Sequence, residues 1–267
     1  MTSQPDVLAA LLADPGSSLV AVDFDGTLAP IVARPEDARA APGAREVLAD
    51  LVSRLGAVAI VSGRGAAEVV ELAGVGDVAG IRVLGHYGLQ QWHGGVVASP
   101  DPVPGIAVAR ARLADVLEGA DAGVRVEDKQ HSLAVHTRGA LHPDTELAAL
   151  EPALEGLADA CGLEIVPGRY VLELRPPGVD KGAALRALVE QTGARIVVFI
   201  GDDLGDLPAF DAIDALREAG EIAGLAVASV DPNDPDAPPQ VAERADMVLA
   251  GPSAVVAWLA GLVAMLD

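Results

Sequence analysis

The sequence predicts an α/β fold, a doubly wound parallel sheet that carries an inserted α+β module. Three observations predict it. Short, wholly apolar runs alternate with amphipathic helical segments in the first and last thirds of the chain. Several of those runs end directly in carboxylates, a serine or glycine, as buried parallel strands do when they deliver a ligand site at their C-terminal ends. The middle third changes to alternating strands that pair as hairpins beside two helical stretches.

The elements follow in order. Ser18–Asp23 (SLVAVD) is the first buried strand, Ala44–Leu55 has helical periodicity, and Ala57–Val61 (AVAIV) is the second strand. Ala66–Ala73 reads as a helix, Ile81–Leu84 as a third strand, and Leu89–Ala98 as a hairpin turning at His93-Gly94-Gly95. In the module Ile106–Leu117 is helical, Val124–Glu127 and Ser132–His136 are alternating strands, and Asp144–Ala160 is a second helix. Leu163–Val166 and Tyr170–Leu174 then pair across Pro167-Gly168-Arg169. The parallel pattern resumes with a helix at Lys181–Thr192, the strand Ile196–Ile200 (IVVFI) and a helix at Leu207–Ala219. Strands at Ile222–Ala228 and Asp246–Leu249 and a docked amphipathic helix at Ala254–Leu266 complete the chain, with Asp231–Pro239 a solvated acidic loop. The proline-rich stretches Ser99–Gly105 and Arg175–Gly178 flank the module like paired hinges. The expected division is therefore a core of residues 1–104 and 176–267 around a module of 105–175.

Composition narrows the function classes. Half of the chain is hydrophobic, enough for a proper core, but aromatics are only 3%, so alanine, valine and leucine must fill it. The net charge of −21 argues against nucleic acid and anionic membranes as partners, since both bind chiefly by phosphate neutralisation. The same field repels phosphorylated metabolites, so a phosphate site here needs its own local cation. Cys161 is the single cysteine and cannot form an internal disulfide, which is compatible with the cytoplasm. Met1–Ala13 has no basic stretch ahead of its apolar residues and does not read as a secretory signal. No apolar run approaches the ~20 residues that span a bilayer. Of eighteen basic residues only two are lysines, Lys129 and Lys181, so their positions carry information.

Four segments could do chemistry. Asp23-Phe24-Asp25-Gly26-Thr27-Leu28 places two carboxylates two residues apart at a strand end, where a regular strand would point both the same way. Gly26 allows a tight bend that aims them differently, so that one can be an ionised nucleophile while the other carries a proton. Alternatively, both can ligate a hard cation. Ser62-Gly63-Arg64 follows the second strand. Ser62 is a natural cap for the helix at Ala66, and the same position offers a hydroxyl and helix N-terminal amides to an anion. Lys181 opens its helix, which is electrostatically unfavourable unless a buried anion repays the cost; the alternative is a lysine reaching out to solvent. In Gly201-Asp202-Asp203-Leu204-Gly205-Asp206, three carboxylates on one loop repel one another unless a cation sits among them. Asp206 has the further option of capping the next helix.

Together these four segments, in this order and each after an apolar strand or at a helix start, resemble the haloacid dehalogenase-like superfamily of phosphatases. The resemblance implies a Rossmann-like core with Asp23 as nucleophile and Asp25 as general acid and base. Ser62 and Lys181 would hold the phosphoryl group, with Gly26, Thr27, Gly63 and Arg64 lining the substrate. Mg²⁺ would lie on Asp23, Asp202 and the Asp25 carbonyl, with Asp203 and Asp206 as further candidates. The module would be the family's α+β cap, closing over the site to exclude water. Within it, Glu127-Asp128-Lys129, His136-Thr137-Arg138 and Glu173-Leu174-Arg175-Pro176 are similar to stretches of trehalose-6-phosphate phosphatases, and Gly85-His86-Tyr87-Gly88 stands at a turn of that family. Carried over by position, Glu127, Lys129 and Glu173 would hydrogen-bond glucose hydroxyls, making a small sugar phosphate the expected partner. The plainer alternative for Glu127 and Lys129 is a surface pair across strands, worth little. Gly205 and Leu207 stand where that family commonly has threonine and glutamate. Rival readings are a phosphatase or phosphomutase for another sugar phosphate, such as those of sucrose or mannosylglycerate, and a non-catalytic sugar-phosphate sensor.

Overall fold

The fold was analysed in a computed structural model that describes residues 4–168, 170–231 and 237–267. The turn residue Arg169 and residues 232–236 of the acidic loop lie outside the described residues, as does the start of the N-terminal segment. Numbered along the chain, the first elements are α1 (Gln4–Ala13), β1 (Ser18–Val22), α2 (Ala44–Val52), β2 (Ala57–Val61), α3 (Ala66–Ala73) and β3 (Arg82–Gly85). A hairpin of β4 (Gln90–His93) and β5 (Val96–Ala98) follows. Next come α4 (Pro104–Val116), β6 (Arg125–Asp128), β7 (Leu133–His136), α5 (Pro143–Cys161), β8 (Glu164–Gly168) and β9 (Val171–Arg175). The chain ends with α6 (Lys181–Thr192), β10 (Ile196–Gly201), α7 (Leu207–Glu218), β11 (Ala223–Ser229), α8 (Pro239–Arg244), β12 (Met247–Leu249) and α9 (Gly251–Leu266).

The residues up to Ser99 and from Asp180 make one compact unit, and Pro100–Val179 make another. In the first, eight strands run in the order β12-β11-β10-β1-β2-β3-β4-β5. From β12 to β3 every pair is parallel, and the hairpin adds two antiparallel strands beyond β3. Continuous apolar runs form these strands because both faces of the sheet are covered. Along β1, Val20 and Val22 join the layer of α1, α2, α3 and α9, while Leu19 and Ala21 join the opposite layer of α6, α7 and α8. Aromatics are scarce, and Phe199, edge-on to Phe210, ties β10 to α7. The N-terminal apolar stretch, which carries no sequence motif, forms α1 and buries Val7 and Leu11 in the first layer. Among the described residues no helix is long and apolar enough to cross a membrane.

The second unit is an antiparallel sheet in the order β6-β7-β9-β8. Leu133 and Val135 of β7 and Leu172 and Leu174 of β9 pack with Ile106, Leu113, Leu154 and Leu157 of α4 and α5. The alternating residues therefore point to the other face. Cross-strand register places Glu127, Ala134 and Glu173 in one row there. β8 is an edge strand, which tolerates Pro167.

Candidate active site

β1 and β10 are neighbours at the centre of the sheet, and their C-terminal ends bring the first and last acidic segments together. The Asp23 amide donates to the Ile200 carbonyl at 2.8 Å, extending the ladder one residue past β1. Asp23 is buried at 4% exposure, and its Oδ1 lies 2.9 Å from Lys181 Nζ. Lys181 is itself buried as the first residue of α6, which excludes the solvent-reaching alternative. Its second partner is Asp206 Oδ1 at 2.7 Å. The helix start is capped separately, by the Asp180 carboxylate accepting from the Ala183 amide at 2.7 Å, so the lysine is not needed there.

Asp206 is fully buried. Besides Lys181 it receives the Asp202 and Asp203 amides on Oδ2, at 3.0 and 3.1 Å. It sits against the backbone of Gly201, where a Cβ would come within 2.2 Å of its Cγ. Asp206 thus makes no side-chain cap on α7; it closes a capping box with Asp203 over the short turn Leu204–Asp206. Asp203 is exposed and accepts from the Gly205 amide at 2.9 Å.

One carboxylate oxygen from each of Asp23, Asp202 and Asp206 lies within 4.8 Å of the others, a donor set of the kind that holds a hard divalent cation. Burial pushes the Asp23 carboxyl up to about 6 against the pull of Lys181, with Asp203 and Asp25 adding to the rise. Burial also raises Asp202 and Asp206 well above the carboxylate range, helped by their acidic neighbours. For Lys181, burial acts downward and is outweighed by Asp206, Asp23 and Asp203, which hold the ammonium well above its usual range. Ionised together, the three carboxylates would outweigh the one ammonium, and a bound cation would neutralise that excess. In the metal-free protein, an Asp23 that titrates near 6 when folded and at its ordinary value of 3.8 when unfolded costs stability as pH rises through that window. A bound cation reverses this, because it takes only the ionised ligands. The expected outcome is a larger rise in Tm on adding Mg²⁺ at pH 7.5 than at pH 5, measured by thermal melts with and without the ion. Equal shifts at the two pH values would disconnect the cation from these carboxylates.

The two carboxylates of the first segment diverge, as the bend at Gly26 permits. Gly26 has φ +74 and no room for a side chain, since a Cβ would lie 1.9 Å from Asp202 Oδ2. Thr27, fully buried, donates to Asp202 Oδ1 at 3.1 Å. Asp25 instead faces Arg64, which donates through Nε to Oδ2 at 2.6 Å and through Nη2 to Oδ1 at 2.8 Å. Arg64 also pairs with Glu68 and lies 5.8 Å from the Phe24 ring centroid. Its hydrogen bonds to the Asp25 carboxylate hold the Arg64 guanidinium above the ordinary arginine range despite burial.

Ser62 is buried at the end of β2, and its Oγ accepts from the Arg64 amide at 3.2 Å. The helix-cap alternative for Ser62 does not hold: Gly65 takes that position on α3, without a side-chain bond, and the first helical amide, Ala66, is taken by Gln90 Oε1 at 3.0 Å. A turn from β3 braces the loop, with the amides of His86 and Tyr87 donating to the carbonyls of Arg64 and Ser62 at 2.8 and 3.0 Å. His86 and Tyr87 both have positive φ, 47 and 56, a conformation costly for residues with side chains. The Tyr87 ring closes directly over Gly63.

In the second unit, Glu173 is buried and accepts from Ser132 Oγ at 2.5 Å, with Lys129 Nζ at 3.5 Å from the same oxygen. Glu127 is paired with His136 Nε2 at 3.0 Å. Glu127 and Lys129 are thus not a surface pair with each other; each engages a different neighbour. Sequence reasoning passed over Ser132 and Ser229. Ser229 had a readable signal, a hydroxyl ending the apolar run AGLAVAS as Ser62 ends its own strand.

Comparison with known proteins adds to this geometry. The family model described as trehalose-phosphatase matches residues 21–233. The trehalose-phosphate phosphatase of Mycobacterium marinum is 37% identical over 229 residues, 80% of this chain and 57% of that protein. That of Mycolicibacterium paratuberculosis is 38% identical over 208 residues, 72% of this chain and 50% of that protein. A Mycobacterium tuberculosis protein described as an uncharacterized glycosyl hydrolase is 39% identical over 207 residues, 73% of this chain but 15% of that one. The chain thus spans about half the length of these phosphatases and a small part of the hydrolase. Among solved structures, the C-terminal domain of Candida albicans trehalose-6-phosphate phosphatase superposes with TM-score 0.78 at 21% identity, over 99% of this chain and 98% of that one. A haloacid dehalogenase-like hydrolase from Bacteroides thetaiotaomicron superposes with TM-score 0.59 at 18% identity, over 91% and 98%. At these identities the structural likeness concerns the fold.

Proposed function

The chain belongs to the trehalose-phosphatase family, and we propose that it is a Mg²⁺-dependent phosphatase that hydrolyses trehalose 6-phosphate through an aspartyl-phosphate on Asp23. The observation that carries the reading is the buried Asp23–Lys181–Asp206 chain beside Asp202 at the ends of β1 and β10. A nucleophile, a fixed cation and a second carboxylate converge there, which is what phosphoryl transfer asks of a protein. Asp23 attacks phosphorus and the bond to the sugar oxygen breaks, with Asp25 supplying the proton that oxygen takes up. Water then gives its proton to Asp25 and attacks the aspartyl-phosphate, releasing inorganic phosphate and restoring Asp23. Lys181, Ser62 and the loop amides take up charge on the phosphoryl oxygens. Asp23, Asp202 and the Asp25 carbonyl would hold Mg²⁺, which when bound supplies further neutralisation of the phosphoryl group. Asp206, already engaged by three donors, acts behind them by fixing Lys181 and the Asp202–Asp203 backbone.

The α+β unit is the proposed cap, with Glu127, Lys129 and Glu173 reading the sugar and Arg64 lining the phosphate end. A cytoplasmic location belongs to the same proposal, supported by the lone cysteine. The test is phosphate release from a panel of sugar phosphates (trehalose, sucrose, mannosylglycerate and glucose esters) with Mg²⁺, with EDTA, and with Mg²⁺ restored. Release from trehalose 6-phosphate alone, stopped by EDTA and recovered with Mg²⁺, is expected. Preference for another ester would overturn the substrate, and full activity in EDTA the cation.

A further inference from the structure

We propose that Ser229 is a positioning residue for Asp202 and thereby sets the affinity of the site for its divalent cation. The proposal rests on the reading of Asp23 and Asp202 as cation ligands. Ser229 ends β11, a strand that contributes none of the four chemical segments. Its register places it one residue beyond the pairing of Ala228 with Gly201, level with Asp202. The side chain is buried at 2% exposure, and Oγ donates to the Gly26 carbonyl at 2.8 Å. That carbonyl belongs to the residue whose Cα is seated on the Asp202 carboxylate, with no space between them for a methyl group. The next residue, Thr27, holds Asp202 Oδ1.

Asp202 is therefore gripped by the loop at two points, and the loop is gripped by Ser229 from the far side. The Gly26 amide is separately tied to the Ala29 carbonyl at 2.7 Å, which closes the loop on itself but does not attach it to the sheet. Ser229 supplies that attachment. Without the hydroxyl, the Gly26 carbonyl loses a buried donor, the bend is free to tilt, and the Asp202 carboxylate loses its fixed backing. Mg²⁺ requires near-ideal octahedral geometry with short metal–oxygen distances, so it tolerates a rocking ligand poorly. Partners that orient metal ligands from behind typically account for about 10–100-fold in affinity.

The experiment titrates the whole chain with MgCl₂ in the absence of substrate and follows the rise in Tm, with calorimetry as the direct readout. Ser229→Ala is expected to shift the Mg²⁺ midpoint upward by about tenfold, on top of a modest fall in the Tm of the cation-free protein from the lost hydrogen bond. Ser229→Thr, which keeps the hydroxyl, is expected to restore the wild-type midpoint. Should the alanine variant fail to fold, Ser229→Cys, a weaker donor of similar shape, is read by the same criterion. A folded Ser229→Ala or Ser229→Cys protein with the wild-type midpoint overturns the role of Ser229 while leaving the cation site standing. A wild-type chain with no saturable response removes the cation reading itself, and this proposal with it.

Discussion

Asp23→Asn is expected to abolish steady-state hydrolysis while leaving the protein folded and no less stable at neutral pH. The amide keeps the shape of the side chain and removes the only group proposed to bond to phosphorus, so the expected loss in kcat exceeds about a thousandfold. The stability half of the prediction follows from burial. The wild-type carboxyl is raised to about 6 by desolvation, so at pH 7 the folded protein carries an ionised group that its surroundings disfavour, and a neutral amide removes that cost. Lys181 loses its contact with Asp23 Oδ1 but keeps Asp206 at 2.7 Å. The measurements are kcat against trehalose 6-phosphate and the Tm of the metal-free protein. Appreciable turnover, with deamidation of the asparagine excluded, would eliminate the covalent mechanism; a large fall in Tm would show that Asp23 holds the fold together.

The core was legible because its signals are local and strong. A strand buried on both faces must be apolar throughout, so SLVAV, AVAIV and IVVFI announce themselves, and the chemical segments stand where those runs stop. The lysine count added a second kind of signal: a lysine at a helix start is unfavourable unless anions anchor it or it reaches solvent, and Asp23 and Asp206 anchor this one. Less legible were features set by tertiary partners. Nothing local told that Arg64 would turn to Asp25, since their elements meet only through the sheet order β1-β2. Ser62 had the composition of a helix cap, but the loop runs on to Gly65 before α3 begins, and the hydroxyl takes the nearer amide of Arg64. α1 carries no chemistry and no strong break signal at its start, so its role as part of one helical layer emerges only from packing.

The second large effect is expected in the α+β unit. The residues Glu127, Ala134 and Glu173 share one row on the face opposite α4 and α5. Strands lie about 4.8 Å apart, so the backbones of the two glutamates are about 10 Å apart across an alanine that offers no bulk between them, a gap wide enough to admit a sugar ring. Glu173 is preset by Ser132 and Lys129, whereas Glu127 sits in an exposed pair with His136; a fixed carboxylate such as Glu173 suits sugar hydroxyls better than a flexible surface pair does. Replacing a charged hydrogen-bonding partner costs about 1.5–3 kcal/mol, so Glu127→Ala, Lys129→Ala and Glu173→Gln should each lower kcat/KM for trehalose 6-phosphate by about 10–100-fold. The glutamine is chosen at Glu173 because alanine would strand its buried neighbours. Hydrolysis of p-nitrophenyl phosphate, which has no sugar to read, should change by less than about threefold. If both substrates fall in parallel, these residues serve the fold or the catalytic core, and the trehalose assignment loses the support of this unit. A fall confined to the disaccharide phosphate would place recognition on this row of the sheet, and leave the net charge of −21 outside the choice of substrate.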